Sequence, residues 1–299
     1  MPDKPLRIVV TGREGQVARA LAERWATCDD VELIHAARPD FDMSKPEGLA
    51  EKIAALAPDI VVNAAAYTAV DQAESEPELA LTVNAVAAGE IARGAYFAGA
   101  PVIQISTDYV FDGTLGRPYS ETDSVSPLGV YGRTKLAGER AVAAANPDHI
   151  ILRTSWVYSP FGKNFVKTML RLAETREELS VVSDQTGNPT SAFVIADGIL
   201  AVARKINSVG SDRVSGIYHL AGSGSTNWFE FAQAIFDLAR QTGKKTPRVN
   251  AITTADYPTP ARRPADSRLN TTLFESIFDY HPSNWRQSLA DIVSELNSY

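Results

Sequence analysis

Short, wholly apolar runs alternate with helix-length stretches through the first half of the chain, and few folds accept that rhythm. Residues 7–10, 31–35, 59–63, 102–106 and 150–153 have strand length, and runs such as Ile60-Val61-Val62 offer no polar face. A strand apolar on both sides must be covered on both sides, as in a parallel sheet. Residues 16–25, 45–56, 78–98 and 134–145 supply the intervening helices. The expected fold class is α/β: a Rossmann-like doubly wound parallel sheet with a smaller, interleaved α/β substrate-binding domain. Residues 1–156 and 179–206 are assigned to the sheet domain, and 157–178 and 207–299 to the smaller one.

The second half is less regular. Residues 164–173, 191–206, 227–241 and 285–296 read as helices, and 179–183 and 216–221 as extended segments. Three prolines, Pro258, Pro260 and Pro264, exclude a helix from the stretch that ends in Arg262, Arg263 and Pro264.

Composition excludes several classes of function. Lys+Arg number 29 against 36 Asp+Glu, a net charge of −7, which disfavours nucleic-acid and anionic-membrane surfaces. No apolar run approaches the roughly 18–20 residues of a membrane helix. The stretch before Leu6 is too short for a signal-peptide core. One cysteine, Cys28, forms no internal disulfide, and His35, His149, His219 and His281 are scattered rather than clustered for a metal. A cytoplasmic, metal-free protein is expected.

Thr11-Gly12-Arg13-Glu14-Gly15-Gln16-Val17-Ala18 follows the first strand and opens the first helix. Glycines there permit a tight turn and let the backbone approach a pyrophosphate at the helix N-terminus, so Gly12, Gly15, Gln16 and Val17 are cofactor candidates. Sheets that select NAD usually end the second strand in Asp or Glu. Here Ala37 occupies that position and Arg38 follows, with a guanidinium suited to a 2′-phosphate. NADPH is therefore the expected cofactor, NADH the second candidate, and Arg13 a further phosphate partner. His35 is expected to face the core.

Tyr131 and Lys135 lie four apart, on one helical face. An ammonium beside the phenol would lower its pKa and suit it to proton exchange near neutral pH. Thr107 stands at the end of the fourth strand, where parallel sheets bind ligands, with a hydroxyl able to hydrogen-bond a carbonyl. Thr107, Tyr131 and Lys135 are the catalytic candidates. Arg262, Arg263 and Arg268 form a basic island suited to a diphosphate, whereas Asp71, Glu74 and Glu76 read as a solvated helix start.

With these residues in view, the chain resembles the extended short-chain dehydrogenase/reductases, and within them the dTDP-4-dehydrorhamnose reductase family. The resemblance covers nearly the whole chain. It rests on Asn63-Ala64-Ala65-Ala66-Tyr67-Thr68, Ser106-Thr107-Asp108-Tyr109-Val110-Phe111, Tyr131-Gly132, Thr134-Lys135, Arg153-Thr154-Ser155-Trp156 and Asp184-Gln185-Thr186-Gly187. It implies NAD(P)H-dependent reduction of the C4 keto group of dTDP-4-dehydro-β-L-rhamnose. Tyr131 would be the general acid, Lys135 the pKa tuner and ribose ligand, and Thr107 the carbonyl donor. It further implies cofactor contacts at Asp42, Met43, Ala64, Ala65 and Ala66, and substrate contacts at Thr68, Val70, Thr107, Asp108, Tyr109, Trp156, Arg262 and Arg263. Some members are metal-bridged dimers held by glutamates. Two of those positions are Ala20 and Phe193 here and only Glu295 remains, so a monomer or weak homodimer is expected. The alternatives are another nucleotide-sugar epimerase or reductase of the superfamily, and a non-catalytic NADP-binding regulatory subunit.

Overall fold

The computed structural model describes residues 4–297. In chain order, β1 (Leu6–Thr11), α1 (Gln16–Trp25), β2 (Val31–Ala36), α2 (Leu49–Ala55) and β3 (Ile60–Asn63) come first. The short helices α3 (Val70–Ala73) and α4 (Pro77–Leu81) precede α5 (Ala87–Phe97), β4 (Val102–Thr107), α6 (Val130–Ala145) and β5 (His149–Thr154). Then come β6 (Val157–Tyr158), α7 (Phe165–Ala173), β7 (Glu178–Val182), β8 (Thr186–Gly187), β9 (Thr190–Ser191), α8 (Ala192–Val209) and β10 (Gly216–His219). The last elements are β11 (Thr226–Asn227), α9 (Trp228–Gln241), β12 (Arg248–Ile252), α10 (Thr272–Phe278) and α11 (Trp285–Asn297).

Six parallel strands form the central sheet in the order β10-β5-β4-β3-β1-β2. Val9 and Val10 are both fully buried yet face opposite layers. Val10, Ile60, Val62 and Ile103 pack with Leu21 of α1 and Ile195 and Ile199 of α8. Val9, Val61 and Val102 pack with Ile53 of α2 and Ile91 and Ala95 of α5. Two covered faces are the physical reason for strands without polar alternation, and each large side chain so buried is worth about 1.5–3 kcal/mol. Strand order reverses between β1 and β3, which sets a crevice at their carboxyl ends. In the smaller lobe β7 and β12 pair in parallel, Leu179 opposite Val249. Val166, Met169, Phe231, Phe236, Leu289 and Ile292 build its core.

Several elements differ from the sequence expectation. β10 closes the central sheet beside β5, although residues 207–299 were assigned to the smaller lobe, and β7 pairs outside the sheet, although 179–206 were assigned to it. The reason is that the long α8 is the crossover between two parallel neighbours. α2 starts at Leu49 rather than 45, because Pro46 and Gly48, at φ +77°, interrupt any earlier turn. The helix expected over 78–98 is α4, a π-helical turn at Thr82–Val86 and α5. β12 and α10 had no expectation. No helix among the described residues is long and apolar enough to cross a membrane.

Candidate active site

The glycine turn takes its shape from Gly12, at φ +84°, a left-handed conformation that side chains other than glycine rarely adopt. Its N–H donates to Ala36 O at 2.8 Å. α1 then begins at Gln16 with no capping side chain and no acid in its first turn, and open space surrounds Gly15. Uncapped N–H groups at a helix N-terminus suit an anion, so this cradle fits a pyrophosphate. The Gln16 side chain is engaged elsewhere: its Oε1 accepts from Ser159 Oγ at 2.7 Å and Asn164 Nδ2 at 3.0 Å. Only its backbone is left for a cofactor, and Val17 beside it is half-buried in the main core.

His35 departs from expectation. On the edge strand β2 it is half-buried, its Nδ1 lies 2.9 Å from Gly12 O, and with Arg13, Arg19 and Phe161 it lines a depression of about 540 Å³. An edge strand has no neighbour to cover its last residues, so the ring turns to the loop instead of the core. Arg38 is exposed just beyond β2. The Asp42 carboxylate accepts from Ser44 N and Oγ at 3.0 and 2.8 Å, which spends it on a turn, and Met43 is buried against the α2–α5 layer.

A buried polar ladder fixes the carboxyl edge of the sheet. Thr11 Oγ1 donates to Asn63 Oδ1 at 2.6 Å, Asn63 Nδ2 to Gln104 Oε1 at 2.7 Å, and Ala65 N to Thr11 Oγ1 at 3.0 Å. Ala64, Ala65 and Ala66 leave β3 half-buried above this ladder. Asn84, in the π-helical turn, both accepts from Tyr67 N and donates to its carbonyl, and so sets the loop that carries the exposed Thr68. Val70 opens α3 half-buried.

α6 brings Tyr131 and Lys135 to the end of β4. The packing is close: a Cβ on Gly132 would meet Tyr109 O at 2.2 Å, and one on Gly138 would meet Asn84 O at 2.0 Å. Lys135 Nζ donates to Ile105 O at 2.7 Å; burial lowers its pKa to about 8, with the Glu139 charge opposing. The Tyr131 ring meets Tyr109 edge-on at 5.6 Å. Burial raises the Tyr131 phenol to about 12, with Thr107 pulling down and Asp108 pushing up. The expected lowering by Lys135 does not figure among the influences on the phenol: the ammonium keeps its charge but is directed to Ile105 O. Protonated at neutral pH, the phenol is in the state a general acid needs. Its pKa still lies below bulk water's, about 15.7, so donation to an alkoxide runs downhill.

Thr107 Oγ1 accepts from Tyr109 N at 3.2 Å and donates to Asp108 Oδ1 at 3.0 Å. Asp108 is only 2% exposed, its Oδ2 lacks a hydrogen-bond partner among the described residues, and burial raises its pKa to about 7 against the Ser267 and Thr107 hydroxyls. The expected substrate contact at Asp108 thus falls on a carboxyl as enclosed as the neighbouring Thr107, 5% exposed. Tyr109 is half-buried beside it.

The basic island is mostly neutralised. Arg263 Nη2 donates to Asp71 Oδ2 at 2.8 Å, and Arg268 makes a bidentate pair with Asp266 at 2.8 and 2.6 Å. Arg262 alone is exposed and free among the described residues, its carbonyl close to Gly129 at the start of α6. Asp71, Glu74 and Glu76 are not a solvated helix start. Asp71 holds Arg263, Glu74 Oε1 accepts from Val130 N at 2.7 Å, and Glu76 Oε2 accepts from Tyr67 OH at 2.7 Å. Trp156, at φ +47°, stacks on Trp228 with centroids 3.5 Å apart and covers Gly187. Glu139 and Arg153 had no expectation. Their bidentate pair, 2.9 and 2.7 Å, is buried behind Lys135, and Glu139 also accepts from Ser106 Oγ. Glu139 lies four residues past Lys135, a spacing that could have marked it; Asn84 carries no such signal.

The family described as RmlD substrate binding domain matches residues 6–298. A dTDP-4-dehydrorhamnose reductase of Sinorhizobium fredii is 49% identical over 288 residues, 96% of this chain and 97% of that protein. The crystal structure of a dTDP-4-dehydrorhamnose reductase from Clostridium acetobutylicum superposes with a TM-score of 0.90 at 38% identity, covering 98% of this chain and 100% of that one. The Bacillus anthracis enzyme of the same name, solved in complex with NADP, gives 0.89 at 33% identity with the same coverage. The chain belongs to the dTDP-4-dehydrorhamnose reductase family.

Proposed function

We propose that this chain reduces the C4 keto group of dTDP-4-dehydro-β-L-rhamnose to give dTDP-L-rhamnose, with NADPH as the preferred cofactor. The observation that carries the reading is the Tyr131 phenol, pushed up to about 12, beside the Thr107 hydroxyl on the carboxyl edge of a parallel sheet with an uncapped glycine turn. When bound, the cofactor supplies the hydride. Tyr131 gives its proton to the developing alkoxide, Thr107 orients the keto oxygen, and Lys135 holds positive charge beneath the site. The backbones of Gly12, Gly15, Gln16 and Val17 hold the pyrophosphate, Ala64, Ala65 and Ala66 line the cofactor's path, and Arg38 takes the 2′-phosphate. Thr68, Val70, Tyr109 and Trp156 border the sugar, and Arg262 takes the diphosphate while Arg263 holds the loop.

The sheet domain is read as the cofactor half and the lobe built on β7 and β12 as the nucleotide-sugar half. We place the protein in a reducing cytoplasm, to which a single cysteine is suited, as a monomer or weak homodimer. Ala20 and Phe193 carry no carboxylate for a metal, and they are taken up by packing instead, Ala20 fully buried and Phe193 against Phe161. The test is NADPH oxidation with the 4-keto sugar nucleotide and identification of the product by NMR. One NADPH consumed per sugar reduced supports the reading. Tightly held NAD⁺ with no net NADPH consumption would assign the chain to epimerase-type chemistry. Replacing Arg38 by Ala should erode the preference for NADPH over NADH by roughly ten- to a hundredfold, mainly through KM.

A further inference from the structure

We propose that Asp108 is a positioning residue for Thr107: as the neutral acid it turns the Thr107 hydroxyl proton toward the substrate carbonyl, and as the carboxylate it holds that proton away. The inference rests on the reductase reading above.

A threonine hydroxyl has one proton and two lone pairs. One lone pair of Thr107 Oγ1 already accepts the Tyr109 N–H, and the proton goes to Asp108 Oδ1. With Asp108 ionised nothing is left to donate to a keto oxygen, because a carboxylate only accepts. If Asp108 carries the proton, it donates to Thr107, whose own proton then turns to the side of the Tyr131 phenol, where the keto oxygen is to sit. No bond to carbon changes and one proton is relocated. The surroundings favour the neutral acid. Asp108 is buried at 2% exposed, and Oδ2 has no hydrogen-bond partner among the described residues. The groups around it are the phenols of Tyr131 on α6 and Tyr109, the Ser267 hydroxyl from the C-terminal segment, and, beyond Tyr109, Arg263 and Asp71. Burial raises the carboxyl to about 7, so the exchange falls in the working pH range.

Two variants and two readouts test this. The kcat of the parent with NADPH and the keto sugar should fall as pH rises through about 7. In Asp108→Asn the amide N–H₂ donates at every pH, so the limb near 7 should vanish and leave only the one near 8 that belongs to Lys135. Asp108→Ala removes the donor, and its kcat at neutral pH should lie at least about tenfold below that of Asp108→Asn. A limb near 7 that persists unmoved in Asp108→Asn, or an Asn variant no better than the Ala variant, overturns the proposal. The second readout needs no turnover. Infrared difference spectra between about pH 6 and 8 should show a protonated carboxyl in the parent that is missing in Asp108→Asn. If the parent shows no such band, Asp108 is ionised throughout and the proposal fails. If the band is present but no keto sugar is reduced, it is the reductase reading that fails.

Discussion

At the scale of single residues the placement of the candidate side chains is largely legible in the sequence, because each motif carries its geometry with it. Tyr131 and Lys135 at helical spacing share a face wherever the helix goes. What the spacing could not supply was the partner of Lys135, a backbone carbonyl on another element, nor the carboxylates that hold Arg263 and Arg268. Replacing Tyr131 by Phe should lower kcat by about a hundredfold or more, since loss of a general acid typically costs 10²–10⁴, while NADPH affinity by fluorescence titration stays close to the parent's. Activity within fivefold of the parent would remove Tyr131 from the chemistry. The arginines should now separate. Arg262→Ala should raise KM for the sugar nucleotide with kcat little changed, since a diphosphate contact binds ground and transition states alike. Arg263→Ala should also lower the unfolding midpoint, because it strands Asp71, whose carboxyl Arg263 keeps below the ordinary range in spite of burial. Equal steady-state and melting behaviour in the two variants would contradict this division.

Among the elements, strands announced themselves by hydrophobicity and helices by period, whereas their ends depended on distant partners. α6 is the clearest case. Its first N–H groups have no intrahelical acceptor, and Gly129 before it has no side chain to cap them. The acceptor is Glu74, 56 residues earlier, and a Cβ on Gly129 would meet its Oε1 at 2.7 Å. Nothing local reveals that pairing, so Glu74 read as a solvated acid. The same holds for β7 and β12, about seventy residues apart, each half-exposed and unremarkable alone. Removing a helix cap costs about 1 kcal/mol, so Glu74→Ala should destabilise the protein by that order. Because Tyr131 sits one residue into α6, kcat should fall with it, while Glu74→Gln, which keeps an oxygen acceptor, should recover most of both. A Gln variant as impaired as the Ala variant would show that the charge near the helix start matters more than the cap.

For the whole molecule the decisive feature is that two lobes built from interleaved segments meet at the carboxyl edge of one sheet. The glycine turn is tied to the smaller lobe through Gln16, and the proline loop to α3 through Arg263, so buried titratable groups near this junction report on the folded state as a unit. Two of them act in opposite directions on acidification. Burial raises Asp108 from 3.8 to about 7, so its stabilising protonation is fully present below the unfolded value and lost as pH rises through about 7. Burial, reinforced by Arg153, lowers His219 from 6.5 to about 3, so its contribution is present above 6.5 and lost as pH falls toward 3. Between these limits the gain at Asp108 offsets the loss at His219. Asp108→Asn removes the gain alone. Between pH 7.5 and 5 its unfolding midpoint should therefore fall relative to the parent's by a few degrees, since each unmatched pH unit is worth about 1.4 kcal/mol. Replacing His219 by Gln should tilt the difference the other way. Calorimetry at the two pH values reads both slopes directly. Parallel pH dependence in the parent and Asp108→Asn would mean that Asp108 has the same protonation in the folded and unfolded chains, and neither the offset nor the relay at Thr107 would survive that result.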